Sequence, residues 1–169
     1  GKTVTASGGA KISTANAKFG SGSAELLASG GSSLFLPTST DFTFDADFTF
    51  EAWAKFASNK YEQLILGSNM STVGNNQFQL NRSSVGEFYF YNGGENSLNT
   101  GVTYTNTDWY HIVIQRSSGV VKVFINGILK GQVNCGGTFN FSNGAIGVLR
   151  VYGAYFDGYL DEVRITKGV

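Results

Sequence analysis

The segments 47–56 and 109–116 alternate between apolar and other positions with a period of two residues. In 47–56 one face carries only apolar side chains: Phe48, Phe50, Ala52, Ala54 and Phe56. The other face places Glu51 beside Trp53 among polar residues, and we expect Trp53, like Phe50, to be a buried large aromatic. In 109–116 the apolar face is Tyr110, Ile112 and Ile114. Because successive side chains of a strand point to opposite sides of a sheet, both segments predict long strands with one face in the core.

The segments 120–125 and 128–134 flank Asn126-Gly127, which predicts a β-hairpin. A type I′ turn needs positive φ at both central residues, and Asn and Gly adopt it most readily. Further strands are predicted at 4–7, 11–14, 23–27, 33–36, 62–67, 77–81, 87–91, 144–151 and 159–165, and loops at 71–76, 92–100 and 152–158. About a dozen strands without helical crossovers predict an all-β fold of two packed antiparallel sheets.

Composition agrees with this pattern and excludes several function classes. The 169 residues include 14 Phe, 8 Tyr, 2 Trp and 23 Gly, which is strand-and-turn chemistry. The 12 basic and 12 acidic residues form no run of like charge, so nucleic-acid binding is not expected. No apolar stretch reaches the ~18 residues of a membrane span, and the single Cys135 excludes an internal disulfide. We expect one domain over residues 1–169, cut from a longer chain.

Four segments, taken together, resemble the laminin-G-like and concanavalin-A-like family. They are 18–23 (KFGSGS), 47–53 (DFTFEAW), Trp109 and His111 with 124–127 (FING), and Ile146-Gly147 leading to 156–165 (FDGYLDEVRI). The closing residues 163–169 are most similar to copies in phage virion and tail-fibre proteins. The resemblance implies a two-sheet antiparallel jelly-roll sandwich. It also implies frequent glycan or protein binding and, in some members, a calcium ion.

No catalytic residues are expected. Relatives of this fold that hydrolyse β-glucans use acidic residues spaced as Glu-x-Asp-x-x-Glu, and the chain has no such string. Retaining hydrolysis needs two carboxyls about 5 to 5.5 Å apart, and Glu51 has no acidic partner two residues away on its strand. His111 is the only histidine, so we expect it to be a structural residue of a packed strand.

Loops that combine Tyr with Asn, Asp or Glu predict a carbohydrate site, because sugars offer apolar faces for stacking and hydroxyls for hydrogen bonds. The candidates are Tyr61, Asn75, Asn76, Tyr91, Asn92, Glu95, Asn96, Tyr152, Tyr155 and Asp157. Calcium is the one cofactor that the resemblance leaves open, with Asp157 and Asp161 as its expected ligands. Alternatively, Asp161 is a buried acceptor that ties the last strand to its neighbour. An ion pair of Glu51 with Arg164 is a further structural option.

The sequence therefore predicts a non-catalytic module that binds a surface glycan or polysaccharide within a phage fibre, virion surface protein or adhesin. Its expected partners are carbohydrate and neighbouring virion or fibre subunits, with no nucleic acid and no membrane insertion. The expected location is a virion surface or the extracellular space. The alternatives are a structural virion or fibre module that binds only protein and, less favoured, a glycoside hydrolase.

Overall fold

The regular structure is almost entirely β-strand. The computed structural model describes residues 2–59, 63–67, 78–82, 86–92, 97–149 and 153–168. Within these ranges the helical structure is limited to two 3-10 turns, at Ala28–Gly30 and Thr40–Phe42, and every strand pairing is antiparallel. No helix in the same ranges has the length and apolar character that crossing a membrane requires. The predicted all-β antiparallel fold is confirmed.

Two sheets, each of seven strands in the described residues, form the sandwich. The first sheet contains, in spatial order, β1 (Thr5–Ser7), β4 (Ser33–Phe35), β15 (Ala145–Ile146), β7 (Leu64–Gly67), β8 (Phe78–Arg82), β9 (Glu87–Asn92) and β10 (Leu98–Thr103). The second contains β13 (Ile128–Asn134), β12 (Val120–Ile125), β11 (Trp109–Ser117), β6 (Phe48–Phe56), β18 (Gly158–Lys167), β3 (Ser23–Leu26) and β2 (Lys11–Ser13). Two short ribbons pair β5 (Thr43–Phe44) with β14 (Phe139–Asn140) and β16 (Val148–Leu149) with β17 (Ala154–Tyr155).

The core lies between the inward faces of the two sheets. The apolar face predicted for β6 is almost completely buried, and Phe88 and Phe90 of β9 are fully buried. The rings of Phe56 and Tyr104 stack with centroids 3.7 Å apart. Burying one such large side chain stabilises the fold by roughly 1.5 to 3 kcal/mol. The period-two prediction is confirmed, and it leaves the alternate residues of each strand on an outward face.

The hairpin between β12 and β13 forms at the predicted turn. Asn126 has φ 52° and Gly127 φ 77°, the positive values that a type I′ turn requires. The Asn126 side chain also accepts a hydrogen bond from the His111 backbone N–H at 2.9 Å, which joins the turn to β11. The turn therefore sets the register of three neighbouring strands.

Two predicted loops and one predicted strand were wrong in part. The predicted loop 92–100 contains the start of β10, where the buried Thr100 hydroxyl donates to the Phe88 carbonyl at 2.8 Å. The predicted strand 144–151 is interrupted by Gly147, whose φ of 86° turns the chain between β15 and β16. The predicted loop 152–158 contains β17, which pairs with β16. Polar composition concealed β10 and β17, although each pairs with a strand close by in the sequence.

The N-terminal residues belong to the same two sheets. β1 pairs with β4, and β3 pairs with β18. Between β2 and β3 the chain lies against the outward side of the second sheet, where the Lys55 ammonium donates to the Asn16 side chain at 2.9 Å. At Gly158 a Cβ would lie 2.1 Å from the Lys55 carbonyl oxygen, so only glycine allows β18 to approach β6 this closely.

Candidate functional site

The outward side of β9 carries two tyrosines at alternate positions of the strand. Phe88 and Phe90 point into the core, so Tyr89 and Tyr91 share the opposite side of the strand and are partly exposed. Their ring centroids are 6.4 Å apart and their planes differ by 27°. The two rings therefore present neighbouring aromatic surfaces on the outside of the first sheet. We call this surface the tyrosine face.

Residues of both neighbouring strands are in register with the two tyrosines. On β8, Gln79 is in register with Tyr91 and Asn81 with Tyr89. On β10, the exposed Asn99 is in register with Tyr89, and its carbonyl oxygen accepts from the Gly101 N–H at 3.0 Å. Aromatic rings stack on the apolar faces of sugars, and amides exchange hydrogen bonds with hydroxyls. The tyrosine face combines both capabilities.

Sequence analysis found only part of this surface. Tyr91 was a predicted carbohydrate residue and lies on the tyrosine face, and Asn92 is the last residue of β9. Tyr89 was missed because it lies within a strand and has no loop residues beside it. The alternation with Phe88 was the available signal. The predicted residues outside the described part of the chain are Tyr61, Asn75, Asn76, Glu95, Asn96 and Tyr152.

Tyr155 and Asp157 contact the 3-10 turn that follows β3. The Tyr155 ring is 3.8 Å from the point that a Cβ on Gly31 would occupy, so the ring packs close to that backbone. The Asp157 carboxylate accepts from the Ala28 N–H at 3.0 Å, and the Asp157 N–H donates to the Gln63 side chain at 2.9 Å. Both residues contribute to local structure at this end of the sandwich.

The two predicted calcium ligands are occupied by backbone donors. One oxygen of Asp161 accepts from the N–H groups of Lys18, at 2.9 Å, and Phe19, at 3.0 Å, and the other accepts from Glu162 at 2.9 Å. Asp157 and Asp161 are four residues apart on an extended chain, about 13 Å between Cα atoms. Within the described ranges no group of three or more His, Cys, Asp or Glu side chains could hold a metal ion. Calcium stays a prediction. Asp161 does tie β18 to another segment, but it is only partly buried and the segment lies between β2 and β3, so the alternative role is confirmed in part.

A second cluster surrounds Trp53 on the outward side of the second sheet. The indole stacks on the His111 imidazole of β11, with centroids 4.9 Å apart and planes 24° from parallel. The Lys18 ammonium lies 4.2 Å from the indole centroid, and the Phe19 ring meets it edge-on at 5.6 Å. The expectation that Trp53 is a buried core residue was wrong, because the alternation of β6 places it opposite Phe50. Trp53 instead packs against Lys18 and Phe19 and so holds the segment between β2 and β3 on the sheet.

An ion-pair network lies beside this cluster. Arg164 binds one oxygen of Glu51 through two nitrogens, which confirms the pair considered from the sequence. The other oxygen of Glu51 is 3.6 Å from Nε2 of His111. Glu162 has φ 48° in a β-bulge of β18, where the register shifts between Asp161 and Arg164. Together with Trp53 these residues line a depression of about 210 Å³.

Comparison with known proteins gives the family. A family model described as "Concanavalin A-like lectin/glucanases superfamily", of the laminin G type, matches residues 28–169, most of the chain. The chain belongs to this superfamily. No curated protein sequence matches it significantly.

Solved structures share this concanavalin A-like fold. Domain 4 of AbnA, an extracellular arabinanase from Geobacillus stearothermophilus, in complex with arabinotriose, has a TM-score of 0.77 at 22% identity and covers 99% of this chain and 82% of that chain. A botulinum neurotoxin type C, whose cell entry depends on two ganglioside molecules, has a TM-score of 0.70 at 15% identity, with coverage of 99% and 44%. A sialidase from Trypanosoma rangeli in complex with 2,3-difluoro-KDN has a TM-score of 0.65 at 18% identity, with coverage of 95% and 27%.

The superfamily includes both lectins and glucanases. The contacts of the carboxylates on the outward side of the second sheet therefore bear on whether this concanavalin A-like domain could act as a hydrolase. Glu51 and Glu162 line one depression, which sequence analysis missed because the bulge in β18 was not visible in the residue spacing. Glu51 is already bound by Arg164 and faces His111. Asp161 is bound by three backbone N–H groups. Glu51 and Asp161 therefore make structural contacts within the domain.

Proposed function

We propose that the chain is a non-catalytic carbohydrate-binding module and that the tyrosine face binds the sugar. The observation that carries the proposal is the pair of neighbouring rings of Tyr89 and Tyr91 on an outward sheet surface, with amide residues in register on both sides. Rings of this kind stack on the apolar face of a pyranose or furanose, and the amides bind its hydroxyls. Such a surface needs neither a nucleophile nor a metal ion.

The similar structures support this function class. One contains arabinotriose and another concerns a toxin that depends on gangliosides, so sugar recognition occurs on this fold. Arabinotriose is therefore a first probe for this chain. We further propose that the module acts within a phage fibre, virion surface protein or adhesin, which the resemblance of residues 163–169 supports. The sequence-derived loop candidates and calcium remain predictions that the same experiment tests.

A structural module that binds only protein is the second candidate. The β13 strand at the edge of the second sheet exposes Ile128 by 60% and Leu129 by 47%. Exposed apolar residues on an edge strand are typical of protein contacts. If this alternative is correct, the domain self-associates or binds a neighbouring subunit and leaves glycans unbound.

A glycan array of the purified chain distinguishes the two functions. The array is run in calcium and in EDTA, with thermal melts in both buffers, and arabinotriose is added as a soluble probe. We expect a glycan signal that falls strongly in Tyr91→Ala and is retained in Tyr159→Ala, a matched control. Tyr159 is also partly exposed but lies on β18 of the other sheet.

Each result of the array has one meaning. A signal that persists in EDTA and falls in Tyr91→Ala assigns calcium-independent binding to the tyrosine face, whereas a signal and a melting temperature that both fall in EDTA support calcium at the Asp157 and Asp161 end. Silence in both buffers, with concentration-dependent dimers that Leu129→Ser abolishes, refutes sugar binding and supports the protein-binding module.

A further inference from the structure

We propose that the tyrosine face binds the interior of an extended, uncharged glycan chain, an inference that rests on the proposed function and names its ligand class. Three features of the face lead to this ligand: the direction in which its rings are arranged, its charge, and the position of its amide groups. Each feature excludes a different group of sugars.

The two rings lie along the strand and not around a single point. Tyr89 and Tyr91 are two residues apart on one side of β9, a spacing of about 7 Å along the strand. Their centroids are 6.4 Å apart and their planes are nearly parallel. A single sugar covers one ring, whereas an oligosaccharide that lies along β9 covers both. The contact area, and with it the affinity, therefore increases with the length of the glycan.

The charge of the face favours an uncharged ligand. β9 and β10 contain no Lys or Arg, and their one carboxylate, Glu87, follows the alternation of β9 onto the side of Tyr89 and Tyr91. On these two described strands a uronate, sialate or sulfate would thus meet the Glu87 carboxylate and no cation, which is unfavourable. Neutral hydroxyls find amide partners instead.

The exposed amide of Asn99 lies to the side of the rings. Asn99 is in register with Tyr89 on the neighbouring strand β10. A sugar over that ring has this hydrogen-bonding group at its side, while the direction along β9 leads to the next ring. Recognition of a chain end requires polar groups that close around one terminal sugar. The lateral arrangement instead fits a chain that continues past the site.

The test is isothermal titration of the full chain with defined oligosaccharides. The neutral probes are arabino-, xylo- and cello-oligosaccharides of one to six sugars, and the acidic probes are oligogalacturonides of matched length and sialyllactose. We expect affinity for one neutral series to rise at least about tenfold from the monosaccharide to the trisaccharide, and acidic probes to bind at least about tenfold more weakly. Blocking the non-reducing end of the bound neutral probe should leave its affinity unchanged.

Variants connect this selectivity to the two rings. Tyr89→Ala and Tyr91→Ala should each weaken the trisaccharide by about tenfold and remove most of the length dependence, since one ring then remains. Tyr91→Phe keeps the ring and should retain most of the affinity, and Tyr159→Ala on the other sheet should bind like the parent. Thermal melts of every variant show whether it is folded.

The outcomes separate this inference from the proposed function. Binding that is independent of length, restricted to acidic probes or lost on end-blocking overturns the inference but retains a sugar-binding module. Binding that both tyrosine variants preserve also overturns it, because the ligand then lies elsewhere. Absence of binding to every oligosaccharide, confirmed by a silent glycan array, refutes the inference and the proposed function together.

Discussion

Replacing Asp161 by alanine should loosen the attachment of the segment between β2 and β3 to the second sheet. Its carboxylate is the common acceptor for the N–H groups of Lys18 and Phe19, and its other oxygen accepts from Glu162. Alanine offers no acceptor, so these N–H groups must turn to water. The segment between β2 and β3 then retains its contact with Trp53 and the hydrogen bond from Lys55.

The expected loss follows from these three hydrogen bonds. A hydrogen bond to a charged group contributes about 1.5 to 3 kcal/mol when it is well shielded. Two of the three bonds are exposed, so water replaces part of what alanine removes. We therefore expect the free energy of unfolding to fall by about 2 to 4 kcal/mol in total. For a chain of this length each kcal/mol lowers Tm by about 2 to 4 °C, so Tm should fall by roughly 4 to 16 °C.

Urea unfolding, followed by fluorescence in the presence of EDTA, measures this loss without a contribution from any bound calcium. Hydrogen exchange at Lys18 and Phe19 reports the local release, and it should accelerate more than exchange in β11. Glu162→Gln is the matched control, since it changes an adjacent exposed carboxylate and should stay within about 0.5 kcal/mol of the parent. A loss below about 0.5 kcal/mol in Asp161→Ala, with unchanged exchange at both amides, would refute the anchoring role.

Three further predictions concern the core, a close backbone approach and an exposed ion pair. Phe50→Ala should lower the free energy of unfolding by about 3 to 5 kcal/mol, and Trp53→Ala should lower it clearly less, because Trp53 is only partly buried. Urea unfolding measures both losses, and equal losses would contradict the assignment of the two residues to opposite faces. Gly158→Ala should cost at least about 1 kcal/mol, because its Cβ would lie 2.1 Å from a carbonyl oxygen, and a neutral result would show that the strands separate easily. The hydrogen bond and charge of Lys2 lower the pKa of Asp41, so their contribution to stability is present above the ordinary carboxyl pKa and is lost as pH falls through the lowered value. NMR titration of Lys2→Ala should show the pKa of Asp41 raised, and an unchanged value would exclude the pair in solution.

Much of the fold could be predicted from local pattern. The alternation of β6 and β11 identified two central strands, and Asn126-Gly127 identified the hairpin between β12 and β13. These predictions succeeded because period-two burial and turn conformation depend on neighbouring residues only. The same reasoning gave the wrong environment to Trp53, since an aromatic residue was expected to be buried even on the polar side of its strand.

The candidate site was less accessible to the sequence. Tyr91 was found as a residue of a loop end, but its partnership with Tyr89 depends on both belonging to the outward side of β9. The amides opposite them come from β8 and β10, and their register is set by pairing along the whole strands. No spacing within one segment contains that information.

By itself the sequence determined the long central strands, which of their residues face the core, and the hairpin turn at Asn126-Gly127. These are properties of the local chain, because hydrophobic burial with a period of two and the positive φ of Asn-Gly act within a few residues. Only the tertiary structure decided which strands are neighbours, where β18 bulges at Glu162, and which outward side chains meet. Those outcomes depend on pairing and packing between residues more than 100 positions apart, as in the contact of Glu51 with Arg164, and one extra residue in a strand changes which side chains share a face.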